Sequence, residues 1–331
     1  MPARPDAVTG DAPPDLEPYR RELTGYCYRM LGSGFEADDA VQETMIRAWK
    51  NFDRFEGRSA LRSWLYRIAT NVCLDMLRSR QRRARPMELE GTWTPESNLG
   101  PALPEATWIT PIPDASVLPD GDPAEVATAR ETIRLAFVAA LQHLPARQRA
   151  VLILREVLRW QASEVAELLD TSVPSVNSAL QRARATLADC DLDSSTIYTG
   201  DPEQQELVSR YVDAFERYDI PKLVTLLRDD VVLSMPPFAL WLQGPDNVAA
   251  WHLGQGIGCK GSRLVATTAN GAPAFGSYRP DPAGGYMPWS LQVLDVSDDG
   301  IVGQHNFLVG HPDFPNLGLF ELFGLPLHLD D

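Results

Sequence analysis

Gly34-Phe-Glu-Ala-Asp-Asp-Ala-Val-Gln-Glu-Thr-Met-Ile-Arg-Ala-Trp-Lys50 is the stretch that decides the fold of the first part of this chain. Val41, Met45 and Trp49 recur at every fourth position, which predicts a helix with an apolar stripe. On the neighbouring faces, four polar residues follow the same spacing: Asp38, Asp39, Gln42 and Glu43. The stretch therefore predicts an amphipathic helix whose acidic and amide surface suits a basic protein partner.

A second helix is predicted from Ser59 to Arg83, because apolar residues recur there at spacings of three or four. These residues are Leu61, Leu65, Ile68, Val72 and Met76. Off this stripe lie an aromatic ring and polar or basic groups: Trp64, Arg67, Asn71 and the arginines from Arg78 onward. Single-stranded nucleic acid is bound by stacking surfaces beside positive charge, so this helix is predicted to bind DNA with unstacked bases. The alternative is that Trp64 and Tyr66 are core aromatics and the arginines form a solvated face.

Three motifs in this part resemble region 2 of the bacterial extracytoplasmic-function (ECF) sigma factors. They are Ala37-Asp-Asp-Ala-Val-Gln-Glu-Thr44, Phe52-Asp-Arg-Phe-Glu-Gly-Arg58 and Trp64-Leu-Tyr-Arg-Ile-Ala-Thr-Asn71. The resemblance implies that the acidic helix docks on the β′ subunit of core RNA polymerase through Asp38, Asp39, Gln42 and Glu43. It implies that the loop and the second helix open and read the promoter −10 element through a larger set: Phe55, Arg58, Ser59, Trp64, Arg67, Asn71 and Arg78.

A helix-turn-helix is predicted further along the chain, where helical periodicity returns from Arg130. The run Ala162–Ser172 carries its first helix, and Val173–Leu187 forms the second, with Ser172 as N-cap and Pro174 in the first turn. The outward residues of the second helix are Ser175, Asn177, Ser178, Gln181, Arg182 and Arg184. Asn and Gln pair with adenine edges and Arg with guanine or phosphate, so this helix is predicted to enter a major groove. The motif resembles region 4 of the same family, which implies that it binds the −35 element.

Charge is divided unevenly along the 331 residues, whose net charge is −15. Residues 14–85 carry 14 Lys or Arg against 10 Asp or Glu, and residues 130–190 carry 8 against 6. Residues 86–129 contain eight prolines and eight acids without Lys or Arg, which predicts an extended linker anchored by Trp93, Trp108 and Ile109. The two positive segments are those with DNA-binding patterns, and local charge decides binding because distant charges are screened.

The segment 201–331 has a net charge of −10, and its order of helices followed by strands predicts an α+β cone. This order, together with the motif Asp229-Asp-Val-Val-Leu-Ser-Met235, resembles SnoaL-like domains. Helices are predicted at Glu203–Tyr218 and Pro221–Leu227, followed by apolar or alternating strands. A concave pocket is expected, with these candidate residues: Trp241, Trp251, His252, Trp289 and His305. A structural regulatory role, small-ligand sensing and catalysis remain alternatives for this segment, and a regulatory contact with region 2 or region 4 is favoured over an independent tethered domain.

Composition limits the other possibilities. The longest apolar run falls short of a membrane span, and Met1 to Pro14 lacks the apolar core of a signal peptide. The four cysteines are widely spaced, so no metal site, no cofactor and reduced thiols in a cytoplasm are expected.

The prediction is a non-enzymatic sigma factor with all-α region 2 (14–85), an acidic linker (86–129), an all-α helix-turn-helix region 4 (130–190) and a C-terminal α+β cone (201–331). Its expected partners are the β′ and β subunits of core RNA polymerase and promoter DNA, without a membrane. The rivals are a ligand-responsive DNA-binding regulator that acts without polymerase, and a SnoaL-type enzyme fused to a DNA-binding module.

Overall fold

The computed structural model of the chain describes residues 15–55, 60–78, 82–120, 122–190, 198–311 and 316–330. Eight helices form the first part of these described ranges. They are α1 (Arg20–Leu31), α2 (Gly34–Lys50), α3 (Leu61–Leu77), α4 (Pro123–Ile133), α5 (Leu135–Gln142), α6 (Ala146–Leu152), α7 (Ala162–Leu168) and α8 (Val173–Ala188). None of the helices in the described ranges is long and apolar enough to cross a bilayer.

Helix α2 has the predicted bounds, and Ser33 caps it by accepting a hydrogen bond from the Glu36 amide at 3.4 Å. Its buried stripe consists mainly of small residues: Ala37, Ala40, Val41, Thr44 and Ala48. The placement of Trp49 on this stripe was wrong, since its side chain is 64% exposed. A residue four positions further along a helix of 3.6 residues per turn lies about 40° round the axis, so two such steps from Val41 leave the stripe.

Helix α3 is shorter at both ends than the sequence predicts, and its buried face includes Leu65, Tyr66, Ala69, Val72 and Cys73. Tyr66 is fully buried, and its ring lies edge-on to Tyr26 at a centroid distance of 5.2 Å. The alternative that Tyr66 is a core aromatic is therefore confirmed.

The segment predicted as linker is ordered by contacts on both sides. Trp108 and Ile109 are buried as predicted, and the Thr110 amide donates to the Gly32 carbonyl at 3.1 Å. The absence of a helix before Arg130 was a wrong prediction, because α4 begins at Pro123 with Asp122 as its N-cap. Only Ile133 of α4 is buried, so the helix has no apolar stripe for a periodicity to detect.

The C-terminal part is the predicted α+β cone, built in its described residues from four further α-helices and a six-stranded sheet. The helices are α9 (Pro202–Glu216), α10 (Ile220–Val224), α11 (Pro245–Leu253) and α12 (Gly318–Leu322). The strands are β1 (Leu227–Ser234), β2 (Trp241–Gln243), β3 (Arg263–Ala269), β4 (Ala272–Pro280), β5 (Tyr286–Ser297) and β6 (Gly300–Leu308). Their order is β2-β1-β6-β5-β4-β3, with β1 and β6 parallel and the other pairs antiparallel.

Strand β4 was not predicted from the sequence. It is rich in small residues and is buried along most of its length, so it lacks the alternation that marks a half-exposed strand. The turn before it is Asn270-Gly271, and both residues have positive φ (56° and 75°). An Asn-Gly pair of this geometry makes a tight hairpin turn, which joins β3 to β4.

The two faces of the sheet pack against different parts of the chain. We call the face that carries Leu291, Val293 and Phe307 the outer face; it joins one continuous core with helices α1 to α8. The inner face, with Leu294 and Leu308, encloses the cone's own core together with α9 and α11. The cone is thus packed onto the helical part rather than tethered beside it.

Candidate polymerase and promoter interface

The acidic face of α2 is open to solvent. Asp38, Asp39 and Gln42 are exposed, and Glu43 is half-exposed and accepts a hydrogen bond from Arg47 Nε at 2.6 Å. The structure therefore brings the four residues predicted to contact polymerase onto one accessible helix surface.

The residues predicted to contact the −10 element lie in a more crowded place. Trp64 is half-buried, with its ring centroid 5.1 Å from that of Phe55 and 6.4 Å from that of Phe52. Asn71 and Arg78 are exposed, and Arg78 forms an ion pair with Asp75 at 3.3 Å. Arg58 and Ser59 lie outside the described residues. An aromatic cluster of Phe52, Phe55 and Trp64 thus stands at the start of α3, among the residues predicted to read the −10 element.

Helix α3 also packs against the helix-turn-helix. Arg67 Nη2 donates to the Glu167 carbonyl oxygen on α7 at 3.1 Å and lies 3.8 Å from the Glu167 carboxylate. Tyr66 meets the ring of Trp160 at a centroid distance of 5.1 Å, and burial raises the pKa of this tyrosine. The Arg62 guanidinium lies over both rings and pairs with Glu22 at 2.8 Å. One side of the predicted −10 helix is therefore covered by the predicted −35 domain.

The second helix of the helix-turn-helix, α8, presents a free polar face. Ser172 caps it by accepting from the Ser175 amide at 3.3 Å, and Val176, Leu180 and Ala183 fix its buried side. The six residues predicted to contact the −35 element are all exposed: Ser175, Asn177, Ser178, Gln181, Arg182 and Arg184. Arg184 is engaged by Glu156 at 2.5 Å. The other five extend from a surface that no described part of the chain covers.

Asn270, at the β3–β4 turn, is a contact residue that sequence reasoning missed. Its Nδ2 donates to Tyr28 Oη and to the Ile133 carbonyl, both at 2.6 Å, and its Oδ1 accepts from the Ile112 amide at 3.0 Å. The side chain is 1% exposed. These partners belong to α1, α4 and the linker, so one side chain ties the cone to three segments. The Asn-Gly pair signals a hairpin in the sequence, but nothing local signals its partners.

The pocket candidates divide according to the face of the sheet on which they lie. A cavity of about 180 Å³ inside the cone is lined by Trp251, His252 and Trp289, whereas Trp241 and His305 are not among its lining residues. Because side chains alternate along a strand, His305 points to the outer face, while Asn306 and Leu308 point into the cavity. His305 accordingly bonds Ser234 Oγ at 2.8 Å and Asp295 Oδ2 at 3.0 Å.

Trp241 serves the linker instead of the cavity, since its indole Nε1 donates to the Glu90 carbonyl at 2.9 Å. Its main-chain oxygen accepts from the Trp93 amide at 3.0 Å. Of the five pocket candidates, Trp251, His252 and Trp289 remain as ligand-contact predictions.

Comparison with known proteins decides the family. Sigma-70 region 2 matches residues 16–83, and Sigma-70, region 4 matches residues 134–187. The ECF RNA polymerase sigma factor SigG of Mycobacterium tuberculosis (strain H37Rv) is 43% identical over 326 residues, which are 97% of this chain and 85% of SigG. The chain belongs to the ECF RNA polymerase sigma factors.

Another ECF sigma factor extends the comparison to the fold. SigJ of M. tuberculosis is 28% identical over 248 residues, covering 72% of each chain. The alignment of this chain with the crystal structure of SigJ covers 94% of this chain and 98% of SigJ. Its TM-score is 0.57 and the sequence identity is 24%. The prediction of an all-α region 2 and region 4 followed by an α+β cone is confirmed by this likeness, and the sigma factor assignment places the chain among transcription initiation factors rather than enzymes.

Proposed function

We propose that this ECF sigma factor docks on core RNA polymerase through α2, reads the −10 element through α3 and the −35 element through α8, and is held closed by its C-terminal cone when polymerase is absent. The polymerase-contact and promoter-contact residues keep the roles predicted from the sequence. Since the proposed partners are polymerase and chromosomal promoters, the proposed compartment is the cytoplasm.

The distance between the two promoter elements supports a closed and an open form. The −10 and −35 elements are numbered by their positions relative to the transcription start, so they lie about 25 base pairs apart. This is roughly 85 Å along B-DNA at about 3.4 Å per base pair. In the chain, Arg67 of α3 touches Glu167 of α7, which belongs to the same helix-turn-helix as α8. Two domains in direct contact do not span that length of straight duplex. The arrangement described here therefore suits the free protein, and promoter binding requires the two regions to separate.

The position of the linker supports the same interpretation. The Leu103 amide donates to the Pro237 carbonyl at 2.9 Å, and Gln255 Nε2 donates to the carbonyls of Pro95 and Ser97 at 2.7 and 2.9 Å. The family resemblance implies that this linker threads the polymerase cleft. While it lies on the cone, it is not available for that path, so the cone competes with polymerase for the linker.

The single observation that best supports a closed form is the buried Asn270 side chain. It makes hydrogen bonds to α1, the linker and α4 at once and so holds the cone on the helices. Buried polar groups left without partners cost about 1–3 kcal/mol each. Separating the cone from the helices therefore has a large local penalty unless polymerase or DNA provides replacement contacts.

Promoter-dependent run-off transcription with purified core polymerase tests the proposal. Wild-type chain should yield a promoter-specific transcript, and Asn270→Gly should yield more at limiting chain concentration, because glycine keeps the positive φ and removes only the side-chain contacts. Asp299→Gly, in the exposed turn between β5 and β6, is the matched control and should behave as wild type.

Two results would redirect the proposal. A lower yield from Asn270→Gly means that the cone assists initiation by spacing the two DNA-binding regions. Sequence-specific DNA binding without any polymerase-dependent transcript would favour the rival regulator that acts alone.

A further inference from the structure

The cavity inside the cone has the features of a ligand site. It lies between the inner face of the sheet and α11, and its apolar lining includes Phe215, Leu233, Met235, Trp251, Trp289 and Leu308. Its volume of about 180 Å³ resembles that of an engineered protein cavity of about 150 Å³ that accepts benzene. The space therefore suits a body of one small ring or a short branched chain.

His252 is a buried polar group in this cavity that lacks a well-formed hydrogen bond. It is 4% exposed, and neither ring nitrogen makes a hydrogen bond of normal geometry, although Gln304 lies close enough to influence its titration. Burial lowers the pKa of His252 to about 4, so the imidazole is neutral near pH 7 and offers one donor and one acceptor. Buried polar groups are nearly always paired, which makes an orphaned imidazole an indication of a missing partner.

Arg279 adds a positive charge to the same lining. Its guanidinium carbon lies 3.2 Å from the ring centroid of Trp289, and Nη2 donates to Cys259 Sγ at 3.1 Å. Within the described ranges it forms no ion pair with a carboxylate, and its buried Nε has no acceptor. Sulfur is a weak acceptor, so the guanidinium retains most of its capacity for an anion.

We propose that the cone binds a small organic carboxylate in this cavity, with the acid group on Arg279, a hydrogen bond to His252 and the apolar body between Trp251 and Trp289. Binding by the cone does not depend on the proposed function.

The effect of this ligand on the closed form, in contrast, rests on the proposed function. Leu99 and Gln255 also line the cavity, and Gln255 holds the linker through the carbonyls of Pro95 and Ser97. A ligand seated under Leu99 fills the space beneath the linker and stabilises the closed form. By linkage, core polymerase that removes the linker must weaken ligand binding by the same factor.

The binding test uses the full-length chain without polymerase and two pairs of probes, benzoate with benzamide and phenylacetate with phenylacetamide. The members of a pair have similar shape and differ in charge. Isothermal titration should give saturable binding of at least one acid, about tenfold tighter than its amide, which is the ratio given by about 1.4 kcal/mol from a charge-assisted hydrogen bond.

Two variants locate the site. Arg279→Met should remove the preference for the acid, and His252→Phe should weaken both acid and amide by occupying the cavity. Arg263→Met is the matched control, because Arg263 lies over Tyr286 at 4.4 Å and does not line the cavity. Absence of saturable binding by every probe, equal binding of acid and amide, or an unchanged preference in Arg279→Met would each overturn the site.

Hydrogen exchange of residues 93–103 tests the coupling separately. A saturating acid probe should slow exchange in this segment, and addition of core polymerase should weaken the probe's binding. Binding without either effect would leave a ligand site in the cone and overturn its link to the linker, whereas failure of transcription alone would overturn the proposed function and not the site.

Discussion

The two helices proposed to read DNA, α3 and α8, differ in how accessible the free chain leaves them. All six predicted residues of α8 are exposed, and among the described residues only Arg184 of these six is held by an ion pair. Helix α3 has Trp64 in an aromatic cluster and Arg67 against α7. Duplex DNA can be read without opening, whereas the −10 strand must be melted. If α3 and α8 have the roles proposed for them, the surface for duplex is ready in the free chain and the surface for melted DNA is withheld until the domains separate.

The largest effect on function is expected from substitutions on the acidic face of α2, which is exposed to solvent in the closed form. Asp39→Arg combined with Glu43→Arg should abolish core polymerase binding in a pull-down, because it places positive charge where a basic partner surface is expected. Glu203→Arg with Glu206→Arg, on the exposed face of α9, makes the same charge change elsewhere and should bind normally. Retained binding by the α2 variant would remove this helix from the polymerase interface.

The next largest effect is expected from a substitution that uncovers the proposed −10 surface on α3. Asn270→Gly should leave the Ile112 amide and the Ile133 carbonyl without their side-chain partner, at about 1–3 kcal/mol for each group. We expect faster hydrogen exchange in α3 and at the β3–β4 turn, with unchanged exchange in the core of α8. Identical protection of α3 in wild type and variant would mean that the cone does not keep the −10 surface covered.

Arg182→Ala tests α8, the helix whose proposed DNA-binding face is exposed. It should weaken binding to a −35 duplex by about 1–3 kcal/mol if the guanidinium contacts a base edge, measured by fluorescence anisotropy with the polymerase-bound chain. Arg210→Ala, on exposed α9, provides the control. A uniform loss across unrelated duplex sequences would assign Arg182 to phosphate instead of a base.

Asn71→Ala tests α3, the helix that packs on one side against α7. Binding to the −35 duplex should stay at the wild-type level, while permanganate reactivity of the −10 region should fall because open-complex formation is impaired. Normal permanganate footprints would indicate that Asn71 has no direct part in opening the duplex.

Glu167→Gln should have the smallest effect. The Arg67 guanidinium keeps its bond to the Glu167 carbonyl oxygen, and the lost ion pair of 3.8 Å is largely exposed. Exposed pairs contribute about 0.2–1 kcal/mol, so the exchange rate of α3 should change little. Opening as extensive as in Asn270→Gly would mean that the α3–α7 contact, and not the cone, keeps the chain closed.

Local patterns in the sequence were sufficient to predict the helices proposed to bind polymerase and DNA. Helix α2 and the α7–α8 pair have caps and apolar periods that a single stretch reveals, and Ser172 and Pro174 mark the start of α8 within one residue. The resemblance to two family regions then assigned roles that no period could supply.

The parts that sequence reasoning missed depend on contacts between distant segments. Strand β4 is buried on both faces because the sheet packs on the helices, and α4 has one buried residue. The partners of Asn270 lie 137 to 242 positions away in the chain. His305 was predicted to line the pocket, and only the order and pairing of the strands shows that it faces away from the cavity.

The continuous core that joins α1 to α8 with the outer face of the sheet has a further consequence. Any opened form exposes apolar side chains of the outer face, such as Leu291 and Val293, that are fully buried in the closed one. Such surface is unfavourable in water at about 25 cal/mol per Å², so an opened chain without polymerase would recruit chaperones, aggregate or be degraded. The abundance of unoccupied core polymerase would then set both the activity of this factor and its lifetime in the cell.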